Sequence, residues 1–270
     1  MISSARGRVI AALVAGWAMV ATAGRAEEAT EAAPLEFEWT FTVSGERADR
    51  MGLPGSVDAW AGTVWVACPA GFDPAERWPI VLISATGDAG LNSGVAWAKR
   101  YAEAGRAAGW VVVGADAAVA VRPETAEFRH GLAAAALDEL ARRWPGAETW
   151  PLALGGFSGG AKYAGYLGAQ FARDGRRPAG LFLAGCNEAA PVIAGHRYNP
   201  PGWAWRRVPV YLSSGDEDPV ATPRDHEQVR RKLSNDGFRH VRLATYHGGH
   251  GPHPPHLTEA LRWFAEAGPD

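Results

Sequence analysis

Cysteine is scarce: Cys68 and Cys186 are the two in 270 residues, which excludes a disulfide-dense scaffold. Excess charge is missing too. Lys and Arg total 27 against 29 Asp and Glu, a formal net charge of −2, and no basic stripe runs along the chain. That removes the electrostatic argument for a nucleic-acid partner or an anionic membrane surface. No internal repeat, low-complexity block or interdomain linker divides the chain. The apolar stretch Val9–Ala23 is shorter than the ~20 residues a spanning helix needs. What remains is 47% hydrophobic and 21% charged, ample for one large α/β domain.

The beginning of the chain differs in kind from the rest. Arg6 and Arg8 precede the apolar stretch, small residues follow it, and Glu27-Glu28 come next. This resembles a secretory signal peptide, with cuts after Ala23 or Ala26. The expectation is a leader over 1–26, a flexible polar spacer over 27–34 and one domain over 35–270. An uncleaved membrane anchor is the alternative. No cysteine near the cut offers a lipid anchor, and no adjacent Arg-Arg pair points to the twin-arginine route. The expected location is secreted or periplasmic, with no stable membrane insertion after cleavage. Export would permit a disulfide, but the strand order places Cys68 and Cys186 at opposite ends of the sheet. A bridge needs Cα atoms within ~7 Å. Two free, buried thiols are expected.

From Leu35 to Val43 the apolar residues alternate, Phe37, Trp39, Phe41 and Val43 on one face, as in a half-buried strand. Gly62–Cys68 reads as a second strand and Pro79–Ile83 as a third. Strand and helix signals then alternate: helix Val95–Ala108, strand from Val111, helix Thr125–Trp144, strand Trp150–Leu154 and a helix to Arg173. Strands Gly180–Ala184, Val208–Leu212 and Val241–Tyr246 follow, with helices Thr222–Leu233 and Leu257–Ala267. Continuous apolar strands separated by helices predict a doubly wound, mostly parallel sheet, with antiparallel strands leading at one edge. Asn187–Arg207, rich in Pro and Trp, reads as an irregular excursion at the edge where ligands bind.

Gly155-Gly156-Phe157-Ser158-Gly159-Gly160 contains Gly-x-Ser-x-Gly between a strand and a helix. A chain that turns sharply there pushes the corner side chain above the sheet. A serine hydroxyl needs a base, and the base needs an orienting acid. Ser213-Ser214-Gly215-Asp216-Glu217-Asp218 follows one later strand, and His247-Gly248-Gly249-His250 follows the last. Asp216 and Glu217 compete with Asp218 for the acid. His247 competes with His250 for the base, though nearer the strand and with less reach. His247, His250, His253 and His256 recur every third residue, but the intervening Gly and Pro forbid a helix that would gather them around a metal.

In this order the motifs make the chain resemble the α/β-hydrolase superfamily, and within it exported esterases of the polyhydroxybutyrate-depolymerase and feruloyl-esterase type. The resemblance implies an eight-stranded sheet with a minimal lid. Ser158 would be nucleophile, His250 the base after its glycine pair and Asp218 the acid three residues after Gly215. It also implies oxyanion donors from the Gly159 amide and from the loop after the third strand. That loop reads Ser84-Ala85-Thr86-Gly87-Asp88-Ala89, where Thr86-Gly87 replaces the family's frequent His-Gly pair. By position the second donor would be the Asp88 amide, with Ala89 as runner-up; otherwise Asp88 caps the next helix. Trp203, Trp205 and Tyr198 are expected to form an aromatic substrate rim. Hydrolysis of small-molecule or polymeric carboxylic esters is the expected activity, with no cofactor and no metal. An amidase, peptidase or acyltransferase would use the same groups, and a non-catalytic binding protein would keep the fold.

Overall fold

Alternation sets the first strand. β1, Glu36–Val43, buries Phe41 and Val43 and half-buries Phe37 and Trp39, while Glu36, Glu38, Thr40 and Thr42 face solvent. The computed structural model describes residues 35–43, 48–49, 60–118 and 124–267, all within the compact unit Ala33–Asp270. The expected leader and spacer lie outside the described residues.

The other strands are β2 Trp60–Ala67, β3 Ile80–Ser84, β4 Val111–Ala117, β5 Leu152–Phe157, β6 Gly180–Ala184, β7 Val210–Gly215 and β8 Val241–Tyr246. They form one eight-stranded sheet in the order β1-β2-β4-β3-β5-β6-β7-β8. The β1–β2 and β2–β4 pairs are antiparallel, and every other pair is parallel. The helices are α1 Gly94–Ala107, α2 Ala126–Arg143, α3 Gly159–Arg173, α4 Ala190–Tyr198, α5 Gly202–Trp205, α6 Pro223–Asp236 and α7 Pro254–Glu266. Central strands are buried on both faces: Ile80 and Leu82 pack with α2 and α3, Val81 and Ile83 with α1 and α7. This is the doubly wound sheet the sequence predicts. Among the described residues no helix is long and apolar enough to cross a membrane.

The Asn187–Arg207 excursion is a correction. It contains two helices, α4 and α5. Pro191 lies in the first turn of α4, where a missing N–H costs little, and Asn199 ends it at φ 48° in the left-handed region. Prolines that read as loop punctuation are start and stop signals. Cys68 and Cys186 are both free and buried. Cys68 follows β2, which runs antiparallel to β4, and Cys186 follows β6 of the parallel set, so they lie at opposite ends of the sheet. Burial pushes the Cys68 thiol up to about 12 and the Cys186 thiol up to about 11.

Candidate active site

β5 enters α3 through Ser158, whose φ of 54° and ψ of −119° are strained for a residue with a side chain. The turn closes only because Gly156 is bare: a Cβ there would lie 2.4 Å from the Gly160 carbonyl carbon. The Ser158 hydroxyl makes no capping bond to its own helix. It lies instead 3.0 Å from His250 Nε2, and His250 Nδ1 lies 2.7 Å from Asp218 Oδ2. A carboxylate only accepts, so Nδ1 carries the proton and Nε2 accepts the Ser158 O–H.

Asp218 sits in a turn that satisfies its carboxylate. Asp218 Oδ1 accepts the amides of Val220 and Ala221, each at 2.8 Å, which leaves Oδ2 for the histidine. Its side chain is fully buried, and that of His250 is 20% exposed. Burial alone would push the Asp218 carboxyl up, but the bonds from His250, Ala221 and Val220 together outweigh it and hold it below the usual carboxylate range. The competing carboxylates do other work. Asp216 accepts the Gly248 amide at 2.9 Å and pairs with exposed His247 at 3.3 Å, and Glu217 faces solvent. Helix α6 is capped by Thr222 and Asp225 in a reciprocal box, so neither Asp216 nor Asp218 caps it. His253 stacks on Tyr246 with ring centroids 4.5 Å apart, and buried His256 meets Ser213 Oγ at 2.9 Å. Among the described residues no group of three or more His, Cys, Asp and Glu is arranged to hold a metal.

On the other side of Ser158, the Gly159 amide belongs to the first turn of α3 and has no partner within the helix. The β3–α1 residue packed on Gly159 is Thr86: a Cβ on Gly159 would come 2.4 Å from Thr86 Oγ1 and 3.3 Å from its Cα. Asp88 is solvent-exposed. Its Oδ2 accepts the Thr86 hydroxyl at 2.6 Å and its amide turns back to that oxygen at 3.4 Å. The side chain packed most closely on Gly159 is thus that of Thr86. Asp88 does not cap α1. Ser93 does, with Asp116 accepting its hydroxyl at 2.6 Å and the Gly94 amide at 2.6 Å.

The three aromatic residues expected at the rim are not brought to Ser158. Trp205 is buried, donates to the Pro191 carbonyl at 3.2 Å and packs against Gly168. Gly168 lies about 15 Å along α3 from Ser158 at 1.5 Å per residue. Tyr198 donates to Glu127 at 2.8 Å and lies under Arg173, the last residue of α3. Trp203 is exposed beside Arg207, on the stretch leading to the start of β7. The chain leaves the catalytic edge as α4 begins and carries these side chains toward the far end of the sheet.

Two residues at the site have no part in the motif reading. The Phe157 ring lies 4.7 Å from that of His250 and stacks on Trp97 at 5.5 Å, making one wall of the imidazole slot. Gly185, at φ 56°, faces it: a Cβ there would strike Phe157 at 2.6 Å and approach His250 Cε1 to 3.2 Å. A glycine directly after an apolar strand was the available signal. Together the groups can move a proton from Ser158 Oγ to His250 Nε2 beside free helix-terminal amides.

No protein-family model matches the chain, and no curated protein matches it. In structure it is similar to a bacterial heroin esterase at 15% identity and TM-score 0.58, covering 89% of this chain and 86% of that one. A ferulic acid esterase matches at 14% identity and TM-score 0.55, covering 86% and 99%. An esterase of Pyrobaculum calidifontis matches at 18% and 0.55, covering 86% and 84%. Strand order, antiparallel leading strands, helices on both faces and these likenesses agree: the protein has the α/β-hydrolase fold.

Proposed function

We propose that this chain is an exported serine hydrolase that cleaves carboxylic esters through an acyl-enzyme on Ser158. The observation that carries the reading is the file of hydrogen bonds from Ser158 Oγ through His250 to Asp218. His250 Nε2 takes the serine proton as Oγ attacks the acyl carbon, and then gives it to the departing alkoxide. Water attacks the acyl-enzyme by the same route in reverse, restoring Ser158 and releasing the acid. Asp218 holds the imidazole in the tautomer that accepts at Nε2 and steadies the imidazolium. The oxyanion forms beside the Gly159 amide, and the turn from Thr86 to Asp88 supplies the second donor, with Thr86 the residue against Gly159. No step calls on a metal or an organic cofactor.

Esters are favoured because the structural likenesses include proteins named as heroin, ferulic acid and archaeal esterases. Leu91 and Val220, exposed at 50% and 55% on loops that flank Asp88 and Asp218, suit an apolar acyl or alcohol group on an open edge. Small-molecule or polymeric esters fit such a rim. The basic and apolar pattern of Arg6 to Ala23 supports export. A fluorophosphonate probe tests the chemistry: the folded protein should be labelled at Ser158, and Ser158→Ala should abolish labelling. Folded wild-type protein that takes no label would end this reading. A panel of p-nitrophenyl, aryl and polymeric esters then ranks substrates.

A further inference from the structure

One buried cation is unexplained by the proton relay. Arg129, in the first turns of α2, is 6% exposed. Its Nη2 donates to the Thr86 carbonyl at 2.9 Å and to the Asn92 carbonyl at 3.2 Å. These are the two ends of the β3–α1 turn that passes Gly159. The same guanidinium pairs with the Glu124 carboxylate, which also accepts the Asn92 side-chain amide at 3.1 Å. Tyr163 of α3 lies under the guanidinium, with 5.3 Å from its carbon to the ring centroid, and donates to the Glu124 carbonyl at 2.9 Å. One side chain thus ties the turn to α2 and α3.

Stability alone is a poor reason to bury this ion pair, since desolvation cancels much of its attraction and well-packed apolar residues often do as well. What an apolar residue cannot do is hold two carbonyls. The turn needs holding: Gly87, Asp88, Ala89 and Gly90 are exposed, and Gly90 sits at φ 79°. Oxyanion donors act through preorganisation, and a displaced donor forfeits much of its effect. Arg129 Nε and Ser84 Oγ are both buried without a partner among the described residues, and Arg129 and Ser84 are among the residues lining one cavity of about 20 Å³.

We propose that Arg129 is a positioning residue that presets the oxyanion side of the site by clamping the Thr86 and Asn92 carbonyls. The inference rests on the serine-hydrolase reading above. Three variants test it: Arg129→Lys, which keeps charge but loses the planar fork; Arg129→Met; and Arg129→Met with Glu124→Gln, which removes the unpaired buried carboxylate. Expected is a kcat about 10- to 100-fold lower, short of the ~10²–10³ lost when a donor is removed outright. KM for a p-nitrophenyl ester should change less than about threefold, because ground-state binding is untouched. Affinity for a trifluoromethyl ketone, whose hemiketal oxyanion occupies the same donors, should fall in parallel with kcat/KM. Retention of the parental kcat and ketone affinity in the Lys variant or in the double variant overturns the clamp. So does a fall in kcat that only tracks loss of folded protein by circular dichroism. A parent that neither hydrolyses esters nor takes the probe at Ser158 instead overturns the underlying function.

Discussion

Two aspartate–histidine pairs stand side by side at the edge of the sheet, made from the same two loops. Asp218 and His250 meet at 2.7 Å with side chains 0% and 20% exposed. Asp216 and His247 meet at 3.3 Å with side chains 44% and 82% exposed. In both, hydrogen bonds hold the carboxyl below its usual range, but by different routes. For Asp216 the Gly248 amide leads, desolvation opposes it, and His247 adds to the lowering. For Asp218 burial is the largest influence and works the other way, so the bonds from His250, Ala221 and Val220 must overcome it. An exposed pair is screened by water and salt. A buried pair must be fully satisfied to exist, and that requirement is what fixes its geometry.

Breaking the two bases should separate them most widely. His250→Ala is expected to lower kcat by about 10⁵-fold, since the nucleophile loses the group that takes its proton. His247→Ala should leave kcat within about fivefold of wild type, because its partner is solvated already. Equal losses in steady-state ester hydrolysis would dissolve the distinction.

The acids offer the next contrast. In Asp218→Asn the Oδ1 position still faces two backbone N–H groups, so the amide must turn its NH₂ toward His250 Nδ1. That forces the proton onto Nε2, where it can no longer accept from Ser158, and kcat should fall roughly 10⁴-fold. Asp216→Asn should stay within about fivefold of wild type. Kinetics of the two variants at neutral pH decide the matter.

The smallest effect concerns what supports the inner pair. Fully buried His226 accepts the Cys186 amide at Nε2 and donates from Nδ1 to the Thr222 carbonyl, joining the loop after β6 to the turn that binds Asp218. Burial lowers its pKa, and the Thr222 bond and the nearby charges of Asp218 and Asp225 only partly oppose this. The folded pKa lies below the unfolded value of ~6.5, so the unfolded chain takes up the proton first as pH falls. His226 therefore contributes fully above ~6.5, and its contribution is lost as pH falls through the folded value. Urea midpoints between pH 7 and pH 5 should drop less steeply in His226→Gln than in wild type. Identical slopes would remove His226 from the account.

The sequence by itself determined the strand and helix alternation, the two leading antiparallel strands and the Gly-x-Ser-x-Gly turn, because these depend on local periodicity and on small residues at a sharp corner. It also brought the candidates for acid and base down to neighbours two or three residues apart. Within those groups the resemblance already favoured Asp218, three residues after Gly215, and His250, after its glycine pair. The tertiary structure adds what spacing does not carry: Asp218 and His250 form the buried pair that meets Ser158, while Asp216 and His247 form an exposed one. Trp205 and Tyr198 show the same limit from the other side: their composition suggested a rim, while α4 and α5 carried them away from Ser158. Phe157, Gly185, Thr86 and Arg129 reach the site from four different elements or loops. Apart from Gly185, a glycine directly after an apolar strand, their roles arise from contacts between segments distant in sequence, which no local pattern encodes.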